Sequence, residues 1–206
     1  MSEEASDTYR TLVSKSESLY KVKGSKHFGY AFPVYSVDEV KPLLEEIKKE
    51  HHTARHHCYA YRIGLEKDVY RANDDGEPSG TAGKPILGQI QSFDLTNIFI
   101  VVVRYFGGTK LGVGGLIDAY RTSAKEAIEA GTIIARQVKS TYTVTFGYEQ
   151  MGEVMAYLKN QGLEFYQQVF ESQCSLLIDI RNADGPRLEN ELGGIYGVEV
   201  EFLRTA

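Results

Sequence analysis

The sequence predicts an α+β protein of two domains, and three observations carry that prediction. Apolar strand-like runs and amphipathic helical stretches are interspersed through the first two-thirds of the chain. The last third repeats a shorter order of strand, helix, two strands, helix and strand, the ferredoxin-like arrangement. The charge balance also shifts: residues 1–135 hold 17 Lys/Arg against 18 Asp/Glu, and residues 136–206 hold 6 against 10, which together give the net −5. The boundary therefore falls in a linker near Ala135–Lys139, with domains at 1–136 and 137–206.

Along the first domain, Lys26–Tyr35 has rough alternation and reads as a strand. Ser36 stands where an N-cap belongs, before a helix over Val37–Glu50 in which Val40, Leu43, Leu44 and Ile47 keep helical spacing. His57–Ile63 and Val69–Ala72 read as strands. Gly83–Phe93 reads as a helix with Pro85 in its first turn. Asn97–Tyr105 is the strongest strand, and its continuous β-branched character places it centrally in a mixed sheet with both faces buried. Leu116–Ala130 is a helix ended by Gly131.

In the second domain Tyr142–Gly147 is a strand and Tyr148–Gln161 a helix, with Met151, Val154, Met155 and Leu158 on one stripe and Gly162 at its end. Glu164–Glu171 and Cys174–Arg181 are strands. Asp184 caps a helix reaching about Leu192, and Val198–Leu203 is the last strand. Segments rich in Gly, Ser and Pro at Lys23–Ser25, Asp74–Gly83 and Gly107–Gly115 read as loops.

Composition excludes several classes. Hydrophobic residues at 42% and charged residues at 25% of 206 describe a globular chain able to bury a core without staples. The longest apolar run, Ile98–Val103, is far shorter than the roughly 18–20 residues of a membrane helix. The acidic start Met-Ser-Glu-Glu-Ala-Ser-Asp is no signal peptide, so the expected location is the cytoplasm, with no membrane partner. Cys58 and Cys174 are far apart and form no CxxC pair, which argues against a disulfide framework or a redox pair. No global basic field recruits nucleic acid, so any such site is a local patch.

Four segments carry candidate chemistry. In Asp74-Asp75-Gly76-Glu77-Pro78-Ser79-Gly80-Thr81-Ala82-Gly83-Lys84-Pro85 the carboxylates Asp74, Asp75 and Glu77 could hold a hard cation, as a weaker alternative to an Asp-Gly turn. The small residues that follow, with free N–H groups ahead of a helix, suit an anion cradle. Arg104-Tyr105-Phe106-Gly107-Gly108-Thr109-Lys110-Leu111-Gly112-Val113-Gly114-Gly115 runs from a buried strand into a helix. Its glycines permit close backbone approach, and Arg104 and Lys110 add cations. It matches neither a Walker A loop nor GxGxxG, and a tight turn needing only glycine geometry is the other reading. His51, His52, His56, His57 and Cys58 cluster, but strand alternation brings at most two ligands together, so structural histidines and a core cysteine are expected. Lys21-Val22-Lys23-Gly24-Ser25-Lys26-His27-Phe28 interleaves lysines with aromatics, which suits RNA backbone contact and base stacking, or an ordinary solvated strand end.

These residues also resemble a known family. Gly24-Ser25-Lys26-His27-Phe28, His56-His57-Cys58-Tyr59-Ala60 after Ala54, the run Asp74–Leu87 and the run Val102–Leu116 occur in the order found in the IMPACT family, in its bacterial YigZ-like form. The resemblance covers roughly residues 20–130 and rests on four ordered motifs. It implies a first domain like the second domain of ribosomal protein S5 and a ferredoxin-like second domain, a pair similar to the last two domains of elongation factor G. In eukaryotic members, translational regulation uses an additional N-terminal domain that this chain is expected to lack, so that activity is not carried over. One departure is His27, where the resemblance implies Arg, which lowers local charge at neutral pH.

The expectation is thus a non-enzymatic cytoplasmic protein that binds RNA or the ribosome in a translation-related role, without a cofactor. Lys26, Arg104, Lys110 and Arg121 would meet phosphates beside the backbone N–H groups of Ser79, Gly80, Gly107 and Gly108. A first alternative is an enzyme acting on a phosphate-bearing small molecule, with Mg²⁺ on Asp74, Asp75 and Glu77. It rests on fold analogy with small-molecule kinases, whose serine-rich loop pattern is missing here. A second is a protein–protein interaction module built on the ferredoxin-like domain.

Overall fold

Alternation of side chains across one sheet organises the first unit, Tyr9–Arg136. The computed structural model describes residues 8–205. The elements of this unit are β1 (Thr8–Leu12), β2 (Ser16–Val22), β3 (Ser25–Pro33), α1 (Val37–Glu50), β4 (His56–Ile63), β5 (Val69–Asn73), α2 (Gly83–Ser92), β6 (Ile98–Tyr105), α3 (Gly112–Glu129) and β7 (Ile133–Gln137). Five strands form one sheet in the order β2-β3-β6-β4-β5, and β1 pairs with β7 in a small second sheet. Every neighbouring pair in the large sheet is antiparallel, so the sheet expected to be mixed is antiparallel throughout.

β6 is the middle strand and is buried on both faces, as its unbroken apolar run predicts. One face carries Ala31, Cys58, Ala60, Ile98, Ile100 and Val102 under α2 and α3. The other carries Tyr30, Phe32, Tyr61, Phe99, Val101 and Val103 under α1. Helices thus cover both faces of a purely antiparallel sheet. The approach of α3 is close: a Cβ on Gly29 would meet the Ser123 carbonyl oxygen at 2.8 Å.

Three strands escape the sequence reading. The inward face of β2 holds Ser16 and Ser18, whose hydroxyls donate to the α3 carbonyls of Ala127 at 2.6 Å and Ser123 at 3.0 Å. Serines at the buried positions invert the hydrophobic alternation that marks a strand. β1 and β7 are short, and β7 occupies part of the segment Ala135–Lys139 read as a linker. The last helix of this unit also starts earlier than expected: α3 begins at Gly112, so Gly114 and Gly115 lie in its first turn.

α1 begins and ends where the spacing predicts. Ser36 is extended, but its hydroxyl donates to Glu39 Oε1 at 3.1 Å, and the Tyr35 amide donates to the same oxygen at 3.1 Å. Glu39 thus ties the two residues ahead of the helix to its first turn, while the Ser36 hydroxyl caps no helix amide as an N-cap would.

From Gln137 onward the chain forms a second compact unit. Its elements are β8 (Lys139–Phe146), α4 (Met151–Gln161), β9 (Phe165–Phe170), β10 (Cys174–Arg181), α5 (Gly185–Leu192) and β11 (Val198–Thr205), with strand order β11-β8-β10-β9, all antiparallel. Val154 and Leu158 of α4 and Leu188 and Leu192 of α5 pack on Tyr142, Val144, Leu176 and Ile178, with Met151 and Met155 alongside. Gly162 ends α4 in the left-handed conformation. Asp184 is not the side-chain cap that its position suggests: a short 3₁₀ turn over Asn182–Asp184 leads directly into α5. No helix among the described residues is long and apolar enough to cross a membrane.

Candidate functional site

The motifs of the first unit gather at one end of the five-stranded sheet. There the β2–β3 hairpin turn, the 74–83 loop and the segment after β6 meet. Register places His27, Arg104 and His56 side by side on β3, β6 and β4, on the α3 face. Lys21, Lys26 and Tyr105 form the matching row on the opposite face.

On the α3 face the charges are internally matched. Arg104 is buried, and its guanidinium donates to Glu77 Oε1 at 2.7 Å, with 8% and 4% of the two side chains exposed. The Tyr120 hydroxyl donates to the same oxygen at 2.8 Å. Arg104 was expected to meet phosphate; its charge is instead neutralised inside the unit. Cys58 Sγ lies 2.9 Å from the Asp74 carbonyl oxygen and 3.3 Å from the Tyr120 hydroxyl, and burial pushes its thiol well above the usual range. A thiol held protonated is a core group, not a nucleophile.

The expected anion cradle ahead of α2 is filled by the protein itself. Asp74 Oδ1 accepts the amides of Ala82 at 3.0 Å and Gly83 at 2.8 Å, and Oδ2 accepts that of Gly80 at 2.8 Å. Burial raises the Asp74 pKa, but the amides of Gly80, Gly83 and Ala82 outweigh it and hold the carboxyl below its ordinary value. The Gly80 amide is thus unavailable to a ligand; Ser79 is exposed beside it. Asp75 Oδ2 accepts the His57 amide at 2.6 Å, and its carbonyl accepts His56 Nδ1–H at 2.9 Å. Asp74, Asp75 and Glu77 therefore face three separate sets of partners. No group of three or more metal-ligating side chains converges among the described residues.

The Gly-rich segment after β6 is shaped by close packing. A Cβ on Gly107 would lie 1.8 Å from the carbonyl carbon of Gly24, and the Gly107 amide donates to Ser25 Oγ at 3.1 Å. Gly108, at φ +88°, faces open space. Lys110 is exposed just beyond. Arg121 is exposed on α3 but pairs with Asp118 at 2.9 Å. His27 points inward: it is fully buried, neither ring nitrogen has a hydrogen-bond partner, and its ring meets Tyr120 edge-on at 5.4 Å. Burial, reinforced by Arg104, lowers its pKa to about 4, so it is neutral and has no part in the surface charge.

The opposite face carries residues that the motifs did not single out together. Lys21, Lys23 and Lys26 are exposed on the β2–β3 hairpin, and neither they nor Lys110 form an ion pair among the described residues. Gly24, Lys26, Phe28, His51, Tyr105 and Phe106 line a pocket of about 390 Å³. His51 reads from sequence as structural, and it is buried at the end of α1. Only the packing of the end of α1 on the sheet brings it to Tyr105, 54 residues away, at 3.0 Å. The i, i+2 alternation of Lys26 and Phe28 was the available signal.

The family model for the Impact N-terminal domain matches residues 23–128. The chain is 36% identical over 147 residues to IMPACT family member YvyE of Bacillus subtilis, covering 71% of this chain and 68% of that protein. It is 32% identical over 185 residues to an IMPACT family member of Haemophilus influenzae, covering 88% and 90%. To IMPACT family member YigZ of Escherichia coli it is 36% identical over 140 residues, covering 67% and 69%. A crystal structure titled only as a hypothetical protein superposes with a TM-score of 0.74 at 26% identity, covering 96% of this chain and 98% of that one. On the family match and these identities, the chain belongs to the IMPACT family.

Proposed function

We propose that this IMPACT family member binds RNA or the ribosome through its first unit, as a non-enzymatic protein with a translation-related role. In this reading the first unit is S5 domain 2-like and the second ferredoxin-like. The supporting observation is the set of unpaired lysines. Lys21, Lys23 and Lys26 on one hairpin, and Lys110 on the segment after β6, are exposed and form no ion pair with a carboxylate among the described residues. The Gly24–Gly107 contact holds these two segments against each other. Clustered lysines with no ion pair among the described residues, in a protein of net charge −5, form a local patch suited to phosphates. The Mg²⁺-dependent enzyme reading has less support, because Asp74, Asp75 and Glu77 are each engaged by the fold.

The test is binding to ribosomal and transfer RNA across a salt series. Three or four phosphate contacts give a slope of about −2 to −3 in log–log units for single strands, at about −0.7 per contact. Lys26→Ala and Lys110→Ala should each flatten it by less than one unit. Salt-independent affinity, or no binding at low salt, removes the proposal.

A further inference from the structure

The lysine patch accounts for attraction to phosphate but not for a choice among nucleic acids, and the pocket beside it addresses that choice. We propose that the pocket at Phe28, His51, Tyr105 and Phe106 takes one unstacked base of a single-stranded RNA. The base is gripped by ring faces while Lys21 and Lys26 pair the flanking phosphates. This rests on the RNA-binding reading above.

The wall of the pocket is aromatic and mutually braced. Phe28 packs against His51 with ring centroids 5.0 Å apart and against Tyr105 at 5.8 Å, edge-on, and His51 meets Tyr105 at 5.7 Å. Donor bookkeeping fixes the polar atoms. The Tyr30 hydroxyl donates to Glu50 Oε1 at 3.2 Å, so its oxygen accepts His51 Nε2–H at 2.7 Å. His51 Nδ1 is then an acceptor and takes the Tyr105 hydroxyl proton at 3.0 Å. Both nitrogens of His51 and the proton of Tyr105 are consumed within the protein. What the pair chiefly offers a ligand is ring surface, which recognises any base by stacking and reads little sequence.

The rim supplies an exposed ring and charge. Phe106 is 59% exposed beside Gly24 at the end of the sheet, where the Arg104 guanidinium lies 5.7 Å from its ring centroid. Lys21 lies directly opposite Lys26 in the β2–β3 pairing, and Lys26 directly opposite Tyr105 in the β3–β6 pairing. Like charges facing each other across strands are unfavourable unless an anion sits between or beside them. Two such lysines next to an aromatic pocket of about 390 Å³ match the phosphate and base of one nucleotide unit. In a duplex the bases are stacked and paired, so only single-stranded or looped RNA can present one.

The experiment uses the full chain and an eight-nucleotide single-stranded RNA carrying 2-aminopurine, beside the same sequence as a duplex and AMP as competitor. Binding should quench the 2-aminopurine fluorescence. Phe106→Ala, at an exposed position, should weaken single-strand affinity by about tenfold with the salt slope unchanged, and Phe106→Tyr should restore it. Lys21→Ala and Lys26→Ala should flatten the slope instead. Salt-dependent RNA binding without quenching, and equal in Phe106→Ala, would overturn the pocket while leaving the RNA-binding reading intact. Duplex binding as tight as single-strand binding, or AMP competing at the affinity of the oligonucleotide, would also overturn it. No binding to any RNA at low salt removes both.

Discussion

Glu77 and Arg104, 27 residues apart, form an ion pair 2.7 Å long with both side chains more than nine-tenths buried. It joins the acidic loop to the central strand, and Tyr120 of α3 joins it through the same carboxylate oxygen. Removing one partner strands the other charge. Glu77→Ala should therefore cost about 3–5 kcal/mol, while Glu77→Ala combined with Arg104→Met should cost less than the sum of the two single changes. Urea unfolding of the three variants checks this; strict additivity would mean that the pair is not coupled.

Asp74 serves as the amide acceptor at the start of α2. Asp74→Ala leaves the Gly80, Ala82 and Gly83 amides without it and should destabilise the unit by about 1–2 kcal/mol or more, and Asp74→Asn by less. Because its folded pKa is depressed, this contribution is present above the unfolded carboxylate pKa of about 3.9 and lost as pH falls below it. Asp74→Asn should accordingly lose less stability than the parent below pH 4.

His27 sets a different acid response. Its folded pKa of about 4 lies below the unfolded value of 6.5, so the unfolded chain takes up the proton first. Stability is full above about 6.5 and falls as pH drops toward 4, by up to about 3 kcal/mol from this group. His51 and His57, lowered by burial, act in the same direction. His27→Phe should keep or raise stability at pH 7, since neither ring nitrogen is bonded, and should flatten the melting temperature between pH 6.5 and 4. An unchanged pH profile would contradict the buried, neutral assignment.

The glycines after β6 divide into three responses. Gly107→Ala forces a Cβ into the Gly24 carbonyl carbon and should be the most damaging. Gly108→Ala meets no atom but must hold φ +88°, a cost of about 1 kcal/mol or more. Gly114 is helical with open space at its Cβ, so Gly114→Ala should stabilise by about 0.5–1 kcal/mol. Melting curves of the three variants rank them.

A run of glycines declares close approach or unusual backbone, but not which glycine serves which purpose. Those roles depend on Gly24, 83 residues away from Gly107, and on where α3 begins. The elements were legible where burial wrote a period into the residues: the doubly buried β6, the stripe of α1, and the strand–helix rhythm after Gln137. β2 was not, because serines bonded to α3 carbonyls stand where apolar residues would mark its inner face.

The sequence by itself determined the family, the two-part order of elements and the set of polar residues available for a site. Only the tertiary structure decided which of those residues are free. Arg104, Asp74, Gly80 and Gly107 look alike, as a donor, an acceptor and two open amides, to Lys26 and Lys110 beside them in the motifs. The fold pairs the first group internally, with Glu77, with the start of α2 and with Ser25, and leaves the lysines to solvent. The physical reason is clearest at Arg104: a buried charge is costly unless an opposite charge meets it, and the carboxylate that does so, Glu77, is brought there by contacts far apart in sequence.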